Sequence, residues 1–240
     1  MTQYAYTLAE QRAPRMGLVV LQTDEQLEAD CRTLLPDDLS LYVTRVPSEP
    51  EVTRESLQSM AAHLSAAAAL LPAGGDYDVV GYGCTSGAAQ IGPARIAELV
   101  RDGTATRAVT EPVSALIAAC RALDVTRLAF LSPYIASVSD HLRGALTQAG
   151  ITSPVFGSFN EATETRVARI SVGSIVEAGC DLVQGAEVDA LFLSCTNLRA
   201  VEATAEIEAR TGLPVLSSNR VLAWHMCALA GVQTQILGGR

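Results

Sequence analysis

Two hydrophobic rhythms alternate along the chain. Short apolar runs lie at 16–22 (MGLVVLQ), 39–46 (LSLYVTRV), 77–83 (YDVVGYG), 106–110 (TRAVT), 127–132 (RLAFLS), 153–158 (SPVFGS), 189–194 (DALFLS) and 213–217 (LPVLS). Helix-like stretches separate them at 25–35, 53–71, 87–101, 111–123, 136–149, 163–186, 197–211 and 219–230. Short strands spaced by helical patterns predict βαβ units and a parallel sheet. Gly150, Gly212 and Gly231 stand where helices should stop, at or just past the last turn.

Eight such units could close one barrel or form two four-stranded sheets. At 240 residues the chain is short for a (β/α)₈ barrel, which usually takes about 250. An internal echo also favours two sheets. Residues 76–87 read DYDVVGYGCTSG and 189–198 read DALFLSCTNL. Each puts a cysteine at the carboxyl end of a strand, then threonine, then a small polar residue at a helix start. Cys84 and Cys195 both fall in the third unit of their half. The expected fold is α/β, with two pseudo-symmetric lobes, each a four-stranded parallel sheet flanked by helices. The changeover lies near 111–126. The expected division is an N-terminal lobe at 1–115, joined by the C-terminal helix region 219–240, and a C-terminal lobe at 116–218.

Composition narrows the function. Apolar residues make up 49% and charged residues 18%, which excludes a disordered chain. Aromatics are only 5% and alanine is abundant, predicting a closely packed, helix-rich core. The net charge is −9 and no Lys/Arg cluster appears, so nucleic acid and anionic membranes are poor partners. Residues 1–15 contain no apolar signal segment, and the long uncharged run 56–75 is too polar to span a membrane. Six scattered cysteines without a C-x-x-C pair predict reduced thiols in the cytoplasm, with neither a disulfide framework nor a zinc site.

Cys84 and Cys195 stand out chemically. A thiol is mostly protonated at neutral pH, and a helix N-terminus favours its anion. Gly81, Gly83 and Gly87 leave the backbone around Cys84 open to a ligand, while Thr196 and Asn197 place a hydroxyl and an amide beside Cys195. If the lobes face each other, both thiols point into one cleft at the carboxyl ends of the strands. Cys31, Cys120, Cys180 and Cys227 sit inside helix-like stretches and read as packing residues.

GYGCTSG and FLSCTNL resemble the paired cysteine motifs of maleate cis–trans isomerases, in the aspartate/glutamate racemase superfamily that also holds arylmalonate decarboxylases. QTDEQLEAD, GYGCTSGAAQIGPARI, VTEPVSAL and VLSSNRVLAWHM are most similar to its ectoine-utilisation, EutA-type branch. The resemblance implies two lobes, a central cleft, no metal and no organic cofactor. It implies Cys84 as nucleophile on a substrate double bond and Cys195 as the second proton carrier. It implies substrate-binding roles for Tyr134 in LSPYIAS and Asn160 in GSFNEAT. Decarboxylases of the family keep only the second-lobe cysteine, so Cys84 argues against decarboxylation. One departure matters: where maleate isomerases place an asparagine after the first strand, this chain has Asp24 in LQTDE. An ionised Asp24 repels a carboxylate and suits a substrate bearing nitrogen; the same residue could equally cap the first helix.

Other signals are weaker. GYGCTSG begins as G-x-G, but the third glycine is displaced and the motif sits on the third strand, against a dinucleotide site. No G-K-[ST] follows for a phosphate loop. His63, His141 and His225 are isolated, without metal-ligand spacing. The expectation is therefore a cofactor-independent two-cysteine isomerase, a cis–trans isomerase or a racemase, acting on a small carboxylate-bearing metabolite. The developing oxyanion would be held by backbone N–H groups after each cysteine and by Thr85, Ser86, Thr196 and Asn197. Rival readings are maleate isomerase proper and a two-lobed binding protein that captures a metabolite without reacting. A homo-oligomer is compatible with all three.

Overall fold

The computed structural model describes residues 1–8 and 13–237. Its eight strands are β1 (Arg15–Leu21), β2 (Ser40–Val46), β3 (Tyr77–Gly83), β4 (Thr106–Thr110), β5 (Arg127–Ser132), β6 (Thr152–Ser158), β7 (Ala190–Leu193) and β8 (Val215–Ser217). All eight expected strands are present. They form two parallel sheets with matching order, β2-β1-β3-β4 and β6-β5-β7-β8. Cys84 therefore follows the third member of the first sheet, and Cys195 follows its counterpart in the second.

The expected helical stretches are present, and three are divided. The stretch 53–71 runs as α2 (Arg54–Ser59) and α3 (Ala61–Ala68) through Met60, which keeps helical backbone angles. The stretch 87–101 starts earlier, at Thr85, and splits into α4 (Thr85–Ile91) and α5 (Pro93–Gly103). Gly92 at φ +92° and Pro93 at the first position of α5 explain the break. The stretch 163–186 divides into α8 (Glu164–Val167) and α9 (Val172–Val183), where Ser171 caps α9 by accepting from the Ser174 N–H. The others are α1 (Leu27–Leu34), α6 (Pro112–Ala122), α7 (Ala136–Gln148), α10 (Ala200–Thr211) and α11 (Ser218–Ala230). Gly212 and Gly231 end α10 and α11 in the left-handed conformation, and Gly150 follows α7 at φ +85°.

Two-sided burial explains the unbroken apolar runs of β1 and β3. Met16, Leu18 and Val20 face a core with Leu27 and Cys31 of α1 and Leu222, Met226 and Cys227 of α11. Val19, Leu21 and Val80 face the larger core on the other side. So α11, last in sequence, packs on the first sheet against β3 and β4 and against α1 and α6. Residues 9–12 and 238–240 of the expected segments lie outside the described residues. No helix among the described residues is long and apolar enough to cross a membrane.

Loop backbone stitches the two halves together next to the strand ends. Val52 N–H donates to the Ala162 carbonyl and Glu164 N–H to the Pro50 carbonyl, both at 2.9 Å, around an antiparallel bridge between Glu51 and Thr163. That stitch fixes the start of α8.

Helix packing gives a stability test. A Cβ on Gly103 would collide with the Ser65 backbone carbonyl of α3 and come within 2.9 Å of Ala68 Cβ, whereas one on Gly144 in α7 meets nothing within 4 Å. Gly103→Ala should destabilise by about 1–3 kcal/mol through overpacking. Gly144→Ala should stabilise by about 0.5–1 kcal/mol through helix propensity. Urea denaturation of the two variants measures both signs.

Candidate active site

The site assembles from four loops at the strand carboxyl ends: β1–α1, β3–α4, β5–α7 and β7–α10, joined by α8 and the start of α11. Cys84 is the N-cap of α4, and its Sγ accepts the Gly87 N–H at 3.1 Å. Cys195 Sγ accepts the Asn197 N–H at 3.3 Å. In each corner an N–H group after the cysteine turns to the sulfur. The two corners also touch. Thr85 Oγ1 donates to Ser218 Oγ at 2.8 Å, and the same oxygen accepts the Cys195 N–H at 3.0 Å. Thr196 Oγ1 donates to the carbonyl of Gly83, the residue before Cys84, at 3.4 Å. Ser86 is buried in the first turn of α4.

Cys195 holds φ +124°, a conformation rare for a residue with a Cβ. Tyr134, which follows β5, reaches it directly: its hydroxyl lies 3.0 Å from Cys195 Sγ and donates to Glu164 Oε1 at 2.7 Å. The other oxygen of Glu164 accepts from Asn197 Nδ2 at 2.8 Å. Glu164 is buried, and no sequence signal marked it. Asn160, the expected ligand after β6, is instead exposed at φ +53°, and its side chain makes no hydrogen bond to this cluster. The backbone stitch at 162–164 carries the chain past Asn160 and inserts Glu164 in its stead.

The Asn197 amide is also committed internally. Its Oδ1 accepts the Glu25 N–H at 2.8 Å, and its Nδ2 serves Glu164 and the Thr23 carbonyl. It ties the two halves together and has no free donor for a substrate carboxylate; only its backbone N–H faces a sulfur. The glycines differ from expectation as well. The space above Gly81 is filled by Met226 Sδ, and that above Gly87 by the Tyr82 hydroxyl, Met60 Cε and Cys84 Sγ. They admit the protein's own side chains, not a ligand.

Asp24 does two things. Its Oδ1 accepts the N–H groups of Gln26 and Leu27 at 2.8 Å each, fastening the entry to α1. Its Oδ2 is buried without a hydrogen-bond partner among the described residues; the nearby Thr196 hydroxyl donates to Gly83 instead. An orphaned carboxylate oxygen is costly. Asp24 follows β1 as Tyr134 follows β5, so the two occupy related places in the two lobes.

Electrostatics reverse one expectation. The helix corners were to lower both thiol pKa values. Burial instead raises Cys84, with Glu164 and Asp24 adding like-charge repulsion, and leaves it at about 12 even though the Gly87 N–H and the Tyr82 side chain pull it down. Burial pushes Cys195 well up too, with Glu164 and Asp24 adding like-charge repulsion against the Tyr134 and Asn197 hydrogen bonds. The carboxyls of Asp24 and Glu164 are themselves raised by burial. Desolvation outweighs these hydrogen bonds because both thiols are buried. Cys180 is the half-exposed thiol, while the other five are buried. Arg45, the cation acting on Asp24, turns its guanidinium to the Leu21 and Asp24 carbonyls and to Glu28. No cluster of three or more His, Cys, Asp or Glu among the described residues could hold a metal ion.

Comparison with known proteins agrees with this geometry. A family model for arylmalonate decarboxylase matches residues 16–239. The chain belongs to that family. Over 216 residues it is 28% identical to maleate isomerase of Nocardia farcinica, covering 85% of each protein. Over 119 residues it is 29% identical to arylmalonate decarboxylase of Bordetella bronchiseptica, about half of each. The family places the chain among enzymes. The crystal structure of maleate isomerase from Pseudomonas putida superposes with TM-score 0.82 at 21% identity, covering 94% of this chain and 98% of that one. A cysteine-to-serine mutant of the Nocardia farcinica enzyme, with a covalently bound succinylcysteine intermediate, superposes at 0.81 with 23% identity, covering 93% and 98%. These likenesses show the shared two-lobed fold.

Next to the site, Asp30 accepts from Asn219 Nδ2 at 2.6 Å, and burial lifts its pKa to about 6, with Asp24 and Glu202 adding repulsion. A raised acid pKa means the folded state holds a proton that the unfolded state has lost. Stability should therefore fall as pH rises from about 4 to about 6. Asp30→Asn should remove the Asp30 share of that dependence and stabilise the protein at pH 7 by roughly 1–3 kcal/mol, with little effect at pH 4. Denaturation midpoints across that range check it.

Proposed function

We propose that the protein is a cofactor-independent isomerase using Cys84 and Cys195 on a small metabolite that carries a carboxylate and a nitrogen donor. The observation that supports this most is the meeting of two strand–cysteine–threonine corners in one buried cluster, through Ser218 and the Thr196–Gly83 contact. The working unit is taken as lobe 1–115 with the C-terminal helix region 219–240, facing lobe 116–218.

The chemistry balances without a cofactor. The Cys84 thiolate adds to one carbon of a double bond while the Cys195 thiol gives its proton to the other. The new single bond rotates, Cys195 recovers the proton, and Cys84 leaves with the electron pair of its C–S bond. Epimerisation would use the same pair as base and acid on opposite faces of one carbon. A carboxylate oxyanion would draw donors from Ser86 and from Thr85 and Thr196, whose hydroxyls would turn to it from Ser218 and Gly83. Tyr134 places a hydroxyl against the Cys195 sulfur.

Asp24 supports the nitrogen. Its partnerless oxygen accepts a hydrogen bond from an N–H and repels a second carboxylate. Ectoine and its ring-opened acids have that composition, and the resemblance to the ectoine-utilisation branch points the same way. The identity to named maleate isomerases supports a second reading, turnover of maleate itself.

Nuclear magnetic resonance of each candidate, incubated in deuterated water, tests both readings. Isomerised or deuterated product should appear with a nitrogen-bearing acid and fall at least about 100-fold in Cys84→Ala and in Cys195→Ala. Asp24→Asn should move preference toward maleate by roughly 10–100-fold, the worth of a hydrogen bond to a charged group. Efficient wild-type maleate turnover, unchanged in Asp24→Asn, would establish the second reading and leave Asp24 as a helix cap only.

A further inference from the structure

Glu164 has no role in the reaction as written above, yet it is buried two hydrogen bonds from a reactive sulfur. The Tyr134 proton points to Glu164 Oε1 at 2.7 Å. The Tyr134 oxygen is then the acceptor at 3.0 Å, and the Cys195 S–H is the donor. The chain thus reads S–H to O–H to carboxylate, in one direction. Asn197 holds both ends: its N–H on the sulfur and its Nδ2 on Glu164 Oε2. The backbone stitch between 50–52 and 162–164 holds Glu164 from behind.

We propose that Glu164, acting through Tyr134, is a positioning residue that stores the proton of Cys195, so that this cysteine can meet substrate as thiol or as thiolate without a proton leaving the site. In one state Cys195 is a thiol and Glu164 a carboxylate. In the other the thiol proton has moved to the Tyr134 oxygen while the Tyr134 proton has moved to Glu164, leaving a thiolate and a carboxylic acid. Tyr134 ends neutral, and no heavy atom has to travel. Both states carry one negative charge, so the transfer adds no charge to a buried region, whereas ionising both groups would place two there. Burial disfavours the charged form of each group, so ionising both together is the unfavourable outcome and the proposed relay would couple their titrations. The other groups acting on it are Asp24, which repels charge on Cys195 and on Glu164, and Cys84, which itself feels Glu164 and Asp24.

The proposal rests on the two-cysteine reading for its purpose, but its test needs no substrate. The ultraviolet absorbance of the Cys195 thiolate, taken as wild type minus Cys195→Ser across pH, should show a constant partial signal through the neutral range and a second rise only at high pH. Glu164→Gln should lose the neutral signal and leave a single rise at high pH. Tyr134→Phe should lose it too, and Glu164→Asp should restore part of it. A purely electrostatic Glu164 predicts the opposite sign: removing its charge would let the thiolate form at lower pH. That result, or no neutral signal in the wild type, overturns the relay and leaves the isomerase reading untouched. Absence of turnover with an intact neutral signal would overturn the isomerase reading alone. Circular dichroism of each variant establishes that it is folded before the titration is read.

Discussion

Cys195 adopts a backbone conformation, φ +124°, that costs about 1–3 kcal/mol and persists only where the surroundings over-determine it. Here they do. Ser218 accepts its N–H, Asn197 donates to its sulfur, and Tyr134 closes on the sulfur from the loop after β5, the neighbouring strand of the same sheet. Each of these partners is tied to something further: Ser218 to Thr85 at the other cysteine, Asn197 to Glu25 and Glu164, Tyr134 to Glu164. The strained residue is the point where both lobes are latched.

The latch determines the electrostatics. Closing the lobes on these polar groups excludes water, and two thiols and two carboxyls share the enclosed region. Low local polarity raises all four pKa values, so the site holds its protons more tightly than free side chains would. Arg45 remains at the edge and spends its donors on main-chain carbonyls. In their ionised forms Asp24 and Glu164 would repel a substrate with two carboxylates, and the proposed nitrogen-bearing class would avoid that repulsion.

The fold was legible because its signal is local. Apolar runs buried on both faces, such as MGLVVLQ, mark parallel strands by themselves, and the repeated Cys-Thr corner revealed the pseudo-symmetry. The divided helices were harder to see, since Gly92–Pro93 reads as one small irregularity in a helical stretch. Tyr134 was found through the family resemblance; Glu164 was not found at all. Its position depends on a bridge to Glu51, more than 100 residues away, that no motif announces. The contacts of Ser218 are hidden for a similar reason: its partners Thr85 and Cys195 come from two other loops. The thiol pKa direction was misjudged because a helix N-terminus is visible in sequence whereas burial among distant acids is not.

Asp24 and the two cysteines are proposed to form one substrate site. A crystal structure of the Cys195→Ala variant soaked with ectoine or its ring-opened acid tests it most directly. The account predicts the ligand nitrogen in hydrogen-bond contact with Asp24 Oδ2, its carboxylate against the N–H groups of the Cys84 and Cys195 corners, and the reacting carbon beside Cys84 Sγ. A ligand seated away from both corners, or one that turns its carboxylate toward Asp24, would contradict it.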